Sequence, residues 1–361
     1  MEDRGVDLCN GFYKNKRVLI TGHTGFKGSW LSIWLHKLGA TVIGYGLNPY
    51  TEEDNFNACG LKNRVIDIRG DIRDYKKLSE VFNIYNPEIV FHLAAQALVK
   101  LSYENPKETY ETNVMGTLNV LECIRNSASV KVSVMVTTDK CYKNIEQIWG
   151  YRENDPMGGY DPYSSSKACA EILIESYRNS FINPKDYKTH GKSVASVRAG
   201  NVIGGGDWST DRIIPDCIRS LKGNKDIEIR NPMSVRPWQH VLEPLGGYLL
   251  LASKMYEDGV SYCSGWNFGP SVDSIVPVKH IVDIIIKEWG YGKYVDISTL
   301  NTPHEANLLS LDCVKAKTYL KWSPKLTVEE ALKFTVDWYK YFKDKDAFDL
   351  CVKQIESYCK K

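Results

Sequence analysis

The chain has no run of 18 apolar residues, no C-x-x-C pair, no low-complexity tract and no internal repeat. The first absence argues against a membrane-spanning helix. The second argues against a cysteine-pair metal or redox motif, and the last against a solenoid. An excess of one charge is missing too. With 46 basic and 44 acidic residues the net charge is +2, which leaves no electrostatic footprint for nucleic acid or an anionic membrane. The opening "MEDRGVDLCNGFYKNK" lacks the apolar core of a signal peptide. The ten cysteines are scattered from Cys9 to Cys359 and are expected to be reduced, structural thiols. A cytoplasmic location is the expectation. No group of His, Cys and carboxylate has metal-ligand spacing, so no metal is expected; His92 and His240 sit alone on apolar stretches and read as core residues.

At 361 residues the chain is long enough for a nucleotide domain and a smaller lobe. "KRVLITGHTGFKGSWLSIWLHKLGATVIGYG" reads as a buried strand over Arg17 to Thr21, a glycine turn, an amphipathic helix and a second strand over Thr41 to Tyr45. Gly22 permits the tight turn, Gly25 lets backbone approach a pyrophosphate, and Gly28 permits close helix packing. "RVIDIRGDI", "PEIVFHLAAQ", "VSVMVTTDK" and "SVASVRAGNVIG" supply four more strands with helical stretches between them. The alternation predicts an α/β fold, a Rossmann-type doubly wound parallel sheet with a smaller C-terminal substrate-binding lobe. The expected division is 11–200 for the nucleotide domain, with segments around 232–260 returning to it, 201–340 mainly for the lobe, and 341–361 for a surface helix or tail. Ligands in such sheets bind beyond the carboxyl ends of the strands, where Gly22, Asp71, Ala94, Thr138 and Asn201 all fall.

Thr137-Thr138-Asp139-Lys140, followed by Tyr163 and Lys167 in "YSSSK", places a hydroxyl, a carboxylic acid, an amine and a phenol in one candidate site. Tyr163 and Lys167 are four apart and share a helix face, where the ammonium lowers the phenol's pKa toward that of a usable base. That pair suits hydride chemistry on a secondary alcohol. The acid and amine after Thr138 add a second proton-transfer capacity that alcohol oxidation does not need and elimination of water does. Cys141 beside them reads as a packing residue.

The strings "GHTGFKGSWL", "GDIRD", "EIVFHLAAQ", "TNVMGT", "TDKCY", "WGYRENDPMGGYDPYSSSK", "VRAGNVIGGGDW", "DRIIPD", "RNPMSVRPWQHVLEPL" and "GWNFGP" carry a resemblance over about Gly11 to Trp338. The chain resembles the extended short-chain dehydrogenase/reductase superfamily and, in its sugar-nucleotide dehydratase/epimerase branch, the 4,6-dehydratases of CDP-glucose. The resemblance implies bound NAD, oxidation at C4, loss of water across C5 and C6, and return of the hydride to C6. It implies Tyr163 as the phenolate that accepts the O4 proton, with Lys167 supporting it and bonding the nicotinamide ribose. Thr138 would bond O4, and Asp139 would protonate the departing C6 hydroxyl, a role that asks for burial beside apolar neighbours. Lys140 stands where related dTDP-glucose dehydratases carry a glutamate that removes the C5 proton; it is either that base, acting in its neutral form, or a positioning group.

By the same resemblance Thr24, Phe26 and Lys27 border the pyrophosphate turn, Asp71 and Ile72 meet the adenine, and Leu93, Ala94 and Ala95 pass under the cofactor. Asn113, next to Thr112, matches a further cofactor position. Asn201, Arg212 and Arg236 match substrate positions, where guanidinium forks suit a diphosphate, while Arg198 reads as a substrate contact or a buried structural pair. One departure is that the second strand ends "GYGLNP", without the acid that bonds the ribose hydroxyls in many NAD enzymes. A 4-epimerase, a 4,6-dehydratase of another nucleotide sugar, and a non-catalytic NAD-binding protein are the alternatives. The resemblance also implies a homodimer, or a homotetramer built from it, joined through helices beginning near Glu108 and Tyr163. Val114, Leu118 and Leu121 on one helix, and Ala170, Leu173, Ile174 and Tyr177 on the other, are apolar at helical spacing and equally suit packing on the sheet.

Overall fold

The computed structural model describes residues 4–298 and 308–361. Its centre is a seven-stranded sheet built from β1 (Arg17–Thr21), β2 (Thr41–Gly46), β3 (Ile66–Arg69), β4 (Ile89–His92), β5 (Val132–Val136), β6 (Ser193–Arg198) and β7 (Gly265–Asn267). The strand order is β7-β6-β5-β4-β1-β2-β3, and every pairing is parallel. The Rossmann-type sheet expected from the alternation is therefore present. β4, β5 and β6 are buried at every residue, as befits strands covered on both faces. The order in which strands are added reverses between β1 and β4, which opens a crevice at their carboxyl ends.

Helix α1 (Phe26–Lys37) follows the glycine turn. Gly22 has φ +75°, and a Cβ there would lie 2.7 Å from the Ala94 amide nitrogen. A Cβ on Gly28 would overlap the Gly22 carbonyl. Both residues are glycine because two chain segments touch backbone to backbone. The expectation of an amphipathic helix does not hold for α1: every residue from Gly28 to Leu35 is buried. The reason lies at the other end of the chain. The last helix, Ala347–Lys360, is no surface tail; it lies against α1, with Cys351, Ile355 and Tyr358 fully buried. The Tyr358 ring meets Trp34 edge-on at 5.8 Å.

Beyond β6 the chain builds smaller pieces. Three two-stranded ribbons pair 202–203 with 239–240, 235–237 with 275–277, and 227–229 with 294–296. Helix Leu242–Glu257 packs on the sheet beneath β5 and β6 before β7 joins the edge. Residues 299–307, within the stretch assigned to the lobe, lie outside the described residues. Among the described residues no helix is long and apolar enough to cross a membrane.

Gly28→Ala should destabilise the protein by about 1–3 kcal/mol, since neither backbone can yield without moving α1 off the sheet. A thermal melt within error of wild type would contradict this account of the turn.

Candidate active site

β5 ends at Val136 and runs into Thr137 and Thr138 at the crevice. The Thr138 hydroxyl caps the short 3-10 turn Asp139–Cys141, accepting from the Lys140 amide at 3.4 Å and donating to Asp139 Oδ1 at 3.0 Å. The Asp139 side chain is buried, and its other oxygen, Oδ2, has no hydrogen-bond partner. The backbone just after β6 presses so close that a Cβ on Gly200 would overlap that carboxylate. A second helix, α2 (Pro162–Ser180), begins with Asp161 accepting from the Ser164 amide at 2.9 Å and proline in its first turn. This start sets Tyr163 and Lys167 one turn apart. The Tyr163 amide donates to Ser102 Oγ at 3.1 Å, its phenol faces the Thr138 hydroxyl, and Lys167 Nζ donates to the Val136 carbonyl at 3.4 Å.

Burial dominates the electrostatics. It pushes the Tyr163 phenol up to about 12, against the opposing pull of the Thr138 hydroxyl and the Arg212 charge. It pushes Lys167 down to about 8, with the Glu171 carboxylate resisting. Lys27 is also driven to about 8, by burial first and then by Arg212, while Asp139 works the other way. Lys27 therefore faces the same cleft as Asp139, Lys167 and Arg212, besides standing in the nucleotide turn. Lys140 is half-buried on the 3-10 turn. Cys141 is fully buried, which raises its thiol well above the ordinary value and suits a packing role. His92 and His240 are driven to about 3 by burial. His92 bonds the Thr21 and Thr117 hydroxyls at 2.7 and 3.0 Å, and His240 lies edge-on to Trp30.

The glycine turn has the form of a phosphate cradle. Gly25 is exposed at the start of α1 and no side chain caps the helix, so its first amides are open to an anion. Phe26 packs beside Gly204, and Thr24 Oγ1 donates to the Leu47 carbonyl at 2.9 Å. Leu93 and Ala94 run alongside the turn, their amides bonded to the Thr21 carbonyl and hydroxyl, with Ala95 next. Asp71 is forked by Arg73, and Ile72 is buried against Gly116. The Asn113 amide is committed within the protein: it bridges the Gln96 amide and carbonyl and donates to Ser166 Oγ. Its part in the site is to pin the loop after β4 to α2. At the strand end that lacks an acid, Arg69 donates to the Leu47 carbonyl at 3.0 Å and to Asp67 at 2.9 Å, and Asp67 also bonds His23.

Hydrogen bonds and charge contacts join Lys27, Thr138, Asp139, Tyr163, Lys167 and Arg212 into one cluster. Arg212 is held by the buried Asp207 at 2.7 Å. Asn201 takes φ +46° after β6, and its carbonyl accepts from the Gln239 amide. Arg236 sits on the strand Val235–Pro237, beside a cavity of about 440 Å³ lined by residues 231–235, Asp296 and Ser298. Sequence reading passed over Ser102, Gly200 and Asp207, and gave no role to Thr137 or Glu171. Arg198 is the buried structural pair, bonded to Glu171 through Nε and Nη2 at 2.9 Å each.

The family model described as GDP-mannose 4,6 dehydratase matches residues 19–335. A CDP-glucose 4,6-dehydratase of Salmonella typhimurium is 50% identical over 352 residues, covering 97% of this chain and 98% of that protein. A dTDP-D-glucose 4,6-dehydratase of Mus musculus is 29% identical, covering 90% and 89%. Among solved structures, a Thermotoga maritima UDP-glucose 4-epimerase with UDP-glucose superposes with TM-score 0.74 at 24% identity, covering 90% of this chain and 98% of that one. The dTDP-glucose 4,6-dehydratase of Bacillus anthracis in complex with NAD gives 0.73 at 23%, covering 91% and 98%.

Turnover that depends on the Lys167 ammonium should decline as pH rises through about 8, because the lowered pKa releases the proton earlier than the ordinary 10.5. The unfolded chain keeps that proton up to about 10.5, so between these values Lys167 makes the folded state more stable as pH rises. The expected signature is a falling kcat without any loss of stability arising from this group. A pH-rate profile flat to pH 10 would contradict it.

Proposed function

Because this chain belongs to the GDP-mannose 4,6 dehydratase family, we propose that it is a hydro-lyase converting CDP-D-glucose to CDP-4-dehydro-6-deoxy-D-glucose. The observation that carries the reaction type is the buried Asp139 carboxyl, one oxygen bonded by Thr138 and the other unpartnered, in the same cluster as Tyr163 and Lys167. An oxidoreductase site and an elimination acid thus share one cleft. The sugar nucleotide is supported by 50% identity across nearly both chains to an enzyme of that name.

NAD fits the cradle formed by Gly22, Thr24, Gly25, Phe26, Lys27 and Gly28, with Asp71, Ile72 and Leu93 to Ala95 toward its other parts and Tyr163 and Lys167 at the reactive end. When bound, NAD supplies the hydride acceptor for C4 and the hydride donor for C6, so no external oxidant is consumed. The Arg69 guanidinium is already bonded by Asp67 and Leu47, which favours a plain ribose over a 2′-phosphate there. Tyr163 accepts the proton of the C4 hydroxyl. Burial opposes its phenolate, and the Thr138 hydroxyl and the Arg212 charge offset part of that cost. Thr138 holds the C4 oxygen. A carbonyl at C4 acidifies the C5 proton and turns a poor elimination into an enolate-type one. Asp139 delivers a proton to the C6 hydroxyl as it leaves, and Lys140 beside it is either the base that removes the proton from C5 or a positioning group. Asn201, Arg212 and Arg236 hold the diphosphate and adjoining sugar.

The same reading includes a homodimer in the cytoplasm. All ten cysteines are free, as suits a reducing compartment. Leu121, Ala170 and Ile174 are taken up in the core, and Leu173 and Tyr177 pack partly against it, which leaves Val114 and Leu118 with the exposed Met115 and Ile172 for the proposed pairing face.

Incubation with CDP-glucose and NAD should give a 4-keto-6-deoxy sugar, seen by its alkali-induced absorbance, without net NADH. Stoichiometric NADH would favour a plain dehydrogenase. Asp139→Asn should leave the first hydride transfer nearly intact and slow the overall reaction by about a hundred to ten thousand fold, with enzyme-bound NADH building up. An unchanged turnover would remove Asp139 from the mechanism.

A further inference from the structure

One helical turn beyond Lys167 lies Glu171, a fully desolvated carboxylate outside the roles assigned so far. Both of its oxygens are occupied. Arg198 of β6 grips it twice at 2.9 Å, Ser196 Oγ donates at 2.7 Å, and the Thr137 hydroxyl makes a short hydrogen bond. These partners come from the ends of two neighbouring strands. Thr137 immediately precedes Thr138, and Arg198 leads through Ala199 to Gly200, whose backbone confines Asp139. The remaining Arg198 nitrogen bonds the Tyr142 hydroxyl at 2.6 Å and the Glu153 carbonyl at 2.9 Å. One carboxylate therefore connects the helix carrying Tyr163 and Lys167 to the strand ends carrying Thr138 and Asp139.

We propose that Glu171 is a positioning residue for the reaction. Its carboxylate, neutralised by Arg198, fixes the strand end bearing Thr138 against the helix face bearing Lys167. This assignment rests on the dehydratase reading above. The carboxylate also biases the proton on Lys167. That ammonium is faced by Cys141 from the turn after β5, His92 from β4 and Lys27 from α1, with Tyr163 one turn before it and Arg198 behind Glu171. Among these, Glu171 is the group that most favours the charged lysine.

The test compares Glu171→Gln with Thr137→Val. Glu171→Gln keeps hydrogen-bonding atoms and removes the charge. It should lower kcat about a hundredfold with KM nearly unchanged, and move the alkaline fall in kcat to lower pH by about a unit. The titration of Lys167 itself, followed without substrate by the pH dependence of its reductive methylation and peptide mass spectrometry, should move the same way. Thr137→Val removes one bond and leaves the ion pair intact, so it stands as the deciding variant if Glu171→Gln does not fold. It should lower kcat while the alkaline fall stays in place. Wild-type kcat in Thr137→Val, or an unmoved Lys167 titration in folded Glu171→Gln, overturns the assignment. Failure of the wild-type enzyme to make a 4-keto sugar would sink the reaction reading alone, because the Lys167 titration needs no substrate.

Discussion

The ion pair between Glu171 and Arg198 is the constraint on which the floor of the cleft depends. Taking two charges out of water is expensive, and the cost is recovered only when both groups are fully hydrogen-bonded. Here they are, by Thr137, Ser196, Tyr142 and the Glu153 carbonyl. Satisfaction at this one point requires α2, β5, β6 and the segment after Tyr142 to stand in a single arrangement. The reactive groups sit on those same elements, one or two residues away. A structural necessity thus doubles as a positional one, and the site inherits its geometry from a pair that never needs to touch a ligand.

The dryness that makes this pair demanding also sets the chemistry. Burial raises the Tyr163 phenol and lowers Lys167 and Lys27, each shift disfavouring a charge. Left alone, such a pocket would hold a poor base. Oppositely charged neighbours redress the balance: Glu171 for Lys167, Asp139 for Lys27, Asp207 for Arg212. The cleft is a set of weakly compensated charges in low dielectric, where adding a cationic ring or a diphosphate shifts each proton affinity strongly. Ligand binding and proton readiness are therefore coupled.

What the sequence made legible was local. The glycine turn, the buried strands and the Tyr163–Lys167 spacing each follow from residues within a few positions of one another. The Thr138–Asp139 juxtaposition is equally local, because a hydroxyl at the cap of a 3-10 turn bonds the next side chain. What stayed hidden depended on segments far apart in the chain. α1 is buried all round because the helix Ala347–Lys360 covers the face that periodicity would leave to solvent. Asn113 matched a cofactor position, yet its amide is spent on Gln96 and Ser166. Gly200 gave no signal, since the carboxylate it accommodates belongs to the turn after another strand. Glu171 was visible as a residue four beyond Lys167, but its role appears only when β6 brings Arg198 beneath it.

The amine at Lys140 fits this charge balance better than a second acid would. Asp139 is buried with one oxygen unpartnered, and a carboxylate at the adjacent position would hold a second negative charge beside it at Coulombic cost. A lysine removes that repulsion. Lys140 is half-buried on the same 3-10 turn as Asp139, an amine set beside the proposed acid. The presence of Lys27 in the turn, where it reaches Asp139 and Lys167 as well as the phosphate cradle, is then part of the same solution. The cleft thus sets Lys27 and Lys167 near one buried, partly unpartnered carboxyl, and the charge on each depends on its neighbours.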